Sequence, residues 1–82
     1  MEKHKNEYLI RLGSKVRERR IKSGLTQEQL AFNSGLDRSY VGGIERGERN
    51  ISIITLIKLS NILGCAIHDL VRGIDNERER KN

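Results

Sequence analysis

A chain of 82 residues with 35% apolar side chains can fill one small core and excludes a large enzyme with a deep pocket. Sixteen Lys and Arg against eleven Asp and Glu leave a formal charge of +5, which points to an acidic partner. No apolar run nears the roughly 18 residues of a membrane span, and charged residues interrupt the first dozen, so neither a span nor a secretory leader is expected.

The charge is unevenly placed. Residues 1–24 carry +5, residues 25–50 carry −1, residues 51–72 carry +1, and residues 73–82 are neutral. Glycines at 13, 24, 35, 47, 64 and 73 punctuate the chain and read as the ends of short helices. No strand pattern and no internal repeat is present.

The first helix is expected over about 7–23, with Leu9, Leu12, Val16 and Ile21 as its buried stripe and Lys15, Arg17, Arg19, Arg20 and Lys22 around it. Thr26-Gln27-Glu28-Gln29 fits a capping box, so a second helix starts there, faces Leu30 and Ala31 inward and stops at Gly35. Asp37 is the expected N-cap of a third helix, with Val41 and Ile44 on its core face and Gly47 at its end. Gly42 and Gly43 lie inside that helix at a cost of about 1 kcal/mol each relative to Ala. Close approach to another helix or to a ligand would each account for them.

After a polar loop at 48–51, Ser52 can cap a fourth helix over about 52–63. Seven of its twelve residues are apolar, more than one face of a small domain needs, so a second partner for it is expected. A last helix covers about 67–72, with Ala66 offering no side-chain cap. The expected organisation is a loose N-terminus over 1–6, a domain over 7–73 and a polar tail over 74–82.

Function concentrates in Gln27 to Gly47. Two short helices meet at a corner glycine, Gly35, with small Ala31 four residues before it and Val41 six after it. This is the helix-turn-helix pattern, in which the second helix enters the major groove by its N-terminal residues. At these residues the chain resembles the Cro/phage-repressor (XRE-type) helix-turn-helix family, over about residues 9–73. Gly24-Leu25-Thr26-Gln27, Leu30-Ala31, Gly35-Leu36, Ile44-Glu45-Arg46-Gly47 and the Ile53/Leu56/Leu59/Leu63 series carry the likeness. Asp37-Arg38-Ser39-Tyr40-Val41, with Ile44-Glu45-Arg46 and Arg49-Asn50, is most similar to controller proteins of restriction–modification systems.

The resemblance implies an all-α, five-helix, lambda-repressor-like domain and a homodimer on a pseudo-palindromic operator. Its implied partners are duplex DNA, a second copy through the helices at 52–63 and 67–72, and RNA polymerase. It also implies that Arg20 pairs with Glu45 to fix the recognition helix, which makes that pair structural. Residue chemistry adds the rest. Arg38 can address guanine edges, Ser39 a base or phosphate, and Tyr40 a thymine methyl or phosphate. Gln27 starts the second helix, where the dipole favours phosphate. Arg46, Arg49, Asn50 and Thr55 are the remaining phosphate candidates.

Other chemistry is poorly supported. Cys65 is expected to be a small core residue that fits a reducing cytoplasm, and His4 and His68 are too distant from it to complete a metal site. No nucleophile–base set is spaced for catalysis, so no enzyme activity and no cofactor are expected. An antitoxin or protein-interaction module with secondary DNA binding is the alternative, although residues 74–82 offer only Ile74 as an apolar anchor. An RNA-binding or coactivator role is disfavoured by the few aromatics available for stacking.

Overall fold

The computed structural model describes residues 6–75. Most of the expected N-terminus and tail, at 1–5 and 76–82, lies outside the described residues. Among the described residues five helices follow one another: α1 (Glu7–Lys22), α2 (Gln27–Ser34), α3 (Arg38–Glu45), α4 (Ile53–Leu63) and α5 (Ile67–Val71). The described residues contain no strand, and no helix among them is long and apolar enough to cross a membrane.

The helix starts follow from local chemistry. Asn6 Oδ1 accepts from the amides of Tyr8 and Leu9 and so caps α1. At α2 the reciprocal box is complete: Thr26 Oγ1 accepts from the Gln29 amide at 3.0 Å, and Gln29 Oε1 accepts from the Thr26 amide at 2.9 Å. Ser52 caps α4 by accepting from the Thr55 amide. Ala66 has no side-chain acceptor, but the Asp69 carboxylate accepts from its amide at 3.0 Å, which supplies half of a box for α5. That backbone hydrogen bond, with weaker help from Arg19, holds the Asp69 carboxyl below its ordinary value.

Two local expectations are corrected. Asp37 takes the N-cap position of α3 with extended backbone but makes no side-chain capping bond. Gly13 does not end a helix; it lies buried inside α1. The other spaced glycines, at 24, 35, 47, 64 and 73, do adopt positive φ. Of these Gly35 matters most, because its left-handed turn (φ 70°, ψ 30°) reverses the chain between α2 and α3.

One core joins all five helices: Leu12, Val16, Leu30, Ala31, Val41, Ile44, Leu56, Leu59, Leu63 and Leu70. α1 packs mainly on α3, α2 lies between α3 and α4, and α5 closes the bundle against α1 and α4. Ile21, expected in the buried stripe, is 56% exposed, because it lies five residues after Val16 and nine after Leu12, on the opposite side of α1. Ile74 packs against the core, and its carbonyl accepts from Arg11 at 2.6 Å. Arg19, at a position where an apolar residue would be ordinary, lies 3.9 Å from Asp69. Cys65 is half-buried at the α4–α5 turn, and burial pushes its thiol up.

The α1–α3 crossing sets the orientation of the helix-turn-helix. A Cβ at Gly13 would collide with the Ile44 carbonyl oxygen and lie 2.7 Å from that of Glu45. Gly47 makes a matching approach from the other side, where a Cβ would lie 2.7 Å from the Ile10 Cα. The backbone of α1 thus meets α3 and the turn that follows it through bare glycines, Gly13 on α1 and Gly47 in that turn.

Candidate nucleic-acid interface

The helix-turn-helix presents the first turn of α3 to solvent. Val41 and Ile44 are buried and anchor one face of α3. Arg38 and Ser39 lie exposed at its N-terminus, and Tyr40 is half-buried against the core edge. These three residues are consecutive on the turn that a helix-turn-helix offers to base edges.

Behind the exposed face stands a polar hub. Arg20 meets Glu45 through two bonds, Nε to Oε2 at 2.7 Å and Nη2 to Oε1 at 3.1 Å. The two side chains are only 12% and 3% exposed. Arg20 also donates to the Leu25 carbonyl at 2.8 Å, and Gln27 Nε2 donates to Glu45 Oε1 at 3.0 Å. The last residue of α3 is thereby tied to the end of α1, the α1–α2 turn and the start of α2. This bidentate geometry has its guanidinium donors and carboxylate acceptors matched, the condition under which a buried pair is tolerated.

The phosphate candidates fall into distinct settings. Gln27 commits its side-chain amide to Glu45, while its first-turn position leaves its backbone N–H without an intrahelical acceptor. Arg46 Nε lies 3.2 Å from Glu48 Oε1 at the exposed end of α3. Arg49 places its guanidinium 5.3 Å from the Tyr40 ring centroid, within cation–π range. Asn50 is exposed in the loop. Thr55 Oγ1 accepts from the Ser52 hydroxyl at 3.1 Å, which leaves the Thr55 proton available to an outside acceptor.

Two of these contacts were not legible in the sequence: the Gln27–Glu45 bond and the Arg49–Tyr40 stack. Each joins residues brought together only by the path of the chain around Gly35 or Gly47. The basic excess of the N-terminal segment is also partly spoken for. Arg20 is held by Glu45, and Arg11 by Glu7 and the Ile74 carbonyl, while Arg17 and Lys22 stand exposed.

A second surface lies on α4. Ile53 and Ile54 are 59% and 58% exposed, and Ile57 is 39% exposed, on a helix whose Leu56, Leu59 and Leu63 fill the core. Three neighbouring isoleucines in water form an apolar patch of the kind found at protein–protein contacts.

The helix-turn-helix family model matches residues 16–70. The control protein C.MunI of a Mycoplasma species is 40% identical over 73 residues, covering 88% of this chain and 99% of that one. The solved structure of the restriction–modification controller protein C.AhdI from Aeromonas hydrophila superposes with a TM-score of 0.74 at 52% identity, covering 76% of this chain and 94% of that one. SinR, a master regulator for biofilm formation solved in complex with DNA, gives a TM-score of 0.70 at 33% identity, covering 72% of this chain and 95% of that one. The chain belongs to the helix-turn-helix family of DNA-binding transcription regulators and groups there with the controller proteins of restriction–modification systems.

Proposed function

We propose that this protein binds a pseudo-palindromic operator as a homodimer and acts as the cytoplasmic controller of a restriction–modification system. The observation that carries the reading is the first turn of α3. Arg38 and Ser39 are exposed there on a helix whose opposite face is buried and whose end is fixed by the Arg20–Glu45–Gln27 hub. Arg38 addresses guanine O6 and N7, and Ser39 and Tyr40 read the neighbouring edges. The amide of Gln27, with Arg46, Arg49, Asn50 and Thr55, holds the flanking phosphates and sets the register. Positive charge on α1 draws the protein to DNA without selecting a sequence.

The isoleucines of α4 support the dimer. Burying Ile53, Ile54 and Ile57 against the same residues of a second copy removes the apolar patch and gives an isologous interface. Two recognition helices then face half-sites about one helical turn apart. The similarity to controller proteins supports the regulatory setting.

Titration with duplex DNA from the region upstream of its own reading frame, against a scrambled duplex at two salt concentrations, tests this reading. The upstream duplex should bind more tightly, with affinity falling steeply as salt rises. Equal affinity for both duplexes would overturn specific regulation. Arg38→Ala should remove the discrimination, whereas Arg49→Ala should weaken both duplexes alike.

A further inference from the structure

We propose that Gly42 and Gly43 are positioning residues: their bare backbone is the surface on which Arg46 and Arg49 lie, so that Arg49 is stacked on Tyr40 before DNA arrives. The inference rests on the DNA-binding reading and deepens it.

Neither glycine is explained by backbone conformation, since both sit inside α3 and neither has positive φ. Helix propensity at both positions favours Ala. Helix packing does not explain them either. The crossing of α1 on α3 uses Gly13 against the Ile44 and Glu45 carbonyls. What covers Gly42 and Gly43 is a set of polar side chains. A Cβ at 42 would lie 3.1 Å from Arg46 Nη1 and 3.5 Å from Gln27 Oε1. A Cβ at 43 would lie 3.0 Å from Arg49 Cγ, 3.1 Å from its Nε and 3.6 Å from its Cδ. Both positions are buried by the residues assigned to phosphate.

Position 43 is the sharper case. The Arg49 stem crosses the helix directly over it, and the guanidinium at the end of that stem rests 5.3 Å from the Tyr40 ring centroid. A methyl group there is tighter than ordinary contact, so the stem has to give way and its seat against the Tyr40 ring loosens. The displaced group is a flexible side chain, so the fold itself need not move. Arg49 would then have to be ordered at the moment of binding, whereas Tyr40 keeps its own packing against the core. Ordering one rotamer-rich side chain on binding weakens affinity about three- to tenfold.

The competing explanation is that Gly43 is small so that DNA itself can approach the backbone. A double-mutant cycle in the full chain separates the two. Wild type, Gly43→Ala, Arg49→Ala and the double variant are titrated with the upstream duplex and with a scrambled duplex. Gly43→Ala should melt no lower than wild type and bind about three- to tenfold more weakly. In the Arg49→Ala background it should change affinity by less than about twofold. An equal loss in both backgrounds, or no loss beside an intact Arg49, would overturn the proposal. In the free protein, NMR should show an upfield ring-current shift of the Arg49 side-chain protons that shrinks in Gly43→Ala, and an unchanged shift there would also overturn it. Failure of the wild type to prefer the upstream duplex would instead overturn the functional reading.

Discussion

Removing Arg20 should damage this protein more than removing its partner. Glu45 is 3% exposed and accepts from Arg20 twice and from Gln27 once. In Arg20→Met the carboxylate keeps only the Gln27 amide, and breaking a buried pair in this way costs about 3–5 kcal/mol. For a domain whose whole stability is about 5–10 kcal/mol, that is a large fraction. Each kcal/mol shifts the melting temperature of a domain this size by about 4–8 °C. Glu45→Leu leaves Arg20 the Leu25 carbonyl at 2.8 Å and a side chain already 12% exposed, so its cost should fall near or below the lower end of the range. The double variant leaves no charge stranded and should recover about 2–3 kcal/mol relative to the sum of the singles. Urea unfolding followed by circular dichroism, at one fixed protein concentration, gives the three values. That concentration must be held because dimerisation adds to apparent stability. Additivity within about 0.5 kcal/mol would refute the argument that Arg20 and Glu45 act as one unit.

Two further outcomes follow from the packing and the caps. Gly13→Ala gains helix propensity yet drives a methyl group into two backbone carbonyls of α3, so it should lose about 2–3 kcal/mol in the same urea assay, and a variant as stable as wild type would contradict the close crossing. Asp69→Ala removes the acceptor for the Ala66 amide, the main cause of the lowered carboxyl. Because the folded value is the lower one, its stabilisation is present above the ordinary carboxylate range and fades as pH falls through the lowered value. Wild type should therefore melt higher than Asp69→Ala at pH 7, with the gap closing below about pH 4, and a pH-independent gap would count against this account.

Much of the fold could be read along the chain, because its signals act within four residues. The Thr26–Gln29 box, the reversal at Gly35 and the spacing of Val41 and Ile44 placed the helix-turn-helix correctly. The same short range explains the misreadings. Gly13 looked like punctuation beside five glycines that do end turns, and its real constraint comes from α3, some thirty residues on. Ile21 is apolar but lies five residues after Val16 and nine after Leu12, which puts it on the side of α1 away from the core. Asp37 has the residue type and the backbone of a cap without the hydrogen bond. Family likeness joins Arg20 to Glu45, and Gln27 reaches Glu45 only through the reversal of the chain around Gly35.

The sequence by itself determined where helices begin and end and supplied the candidates proposed to address DNA. The tertiary structure decided which of those residues act together. Arg49 lies on Gly43 and against Tyr40, and Gln27 lies on Glu45, because the chain around Gly35 and Gly47 folds back at particular angles. Those angles come from the close passage of α1 over α3 at Gly13. Helical periodicity repeats every turn and carries no information about the angle at which two helices cross; that angle is set by steric fit between surfaces distant in the chain.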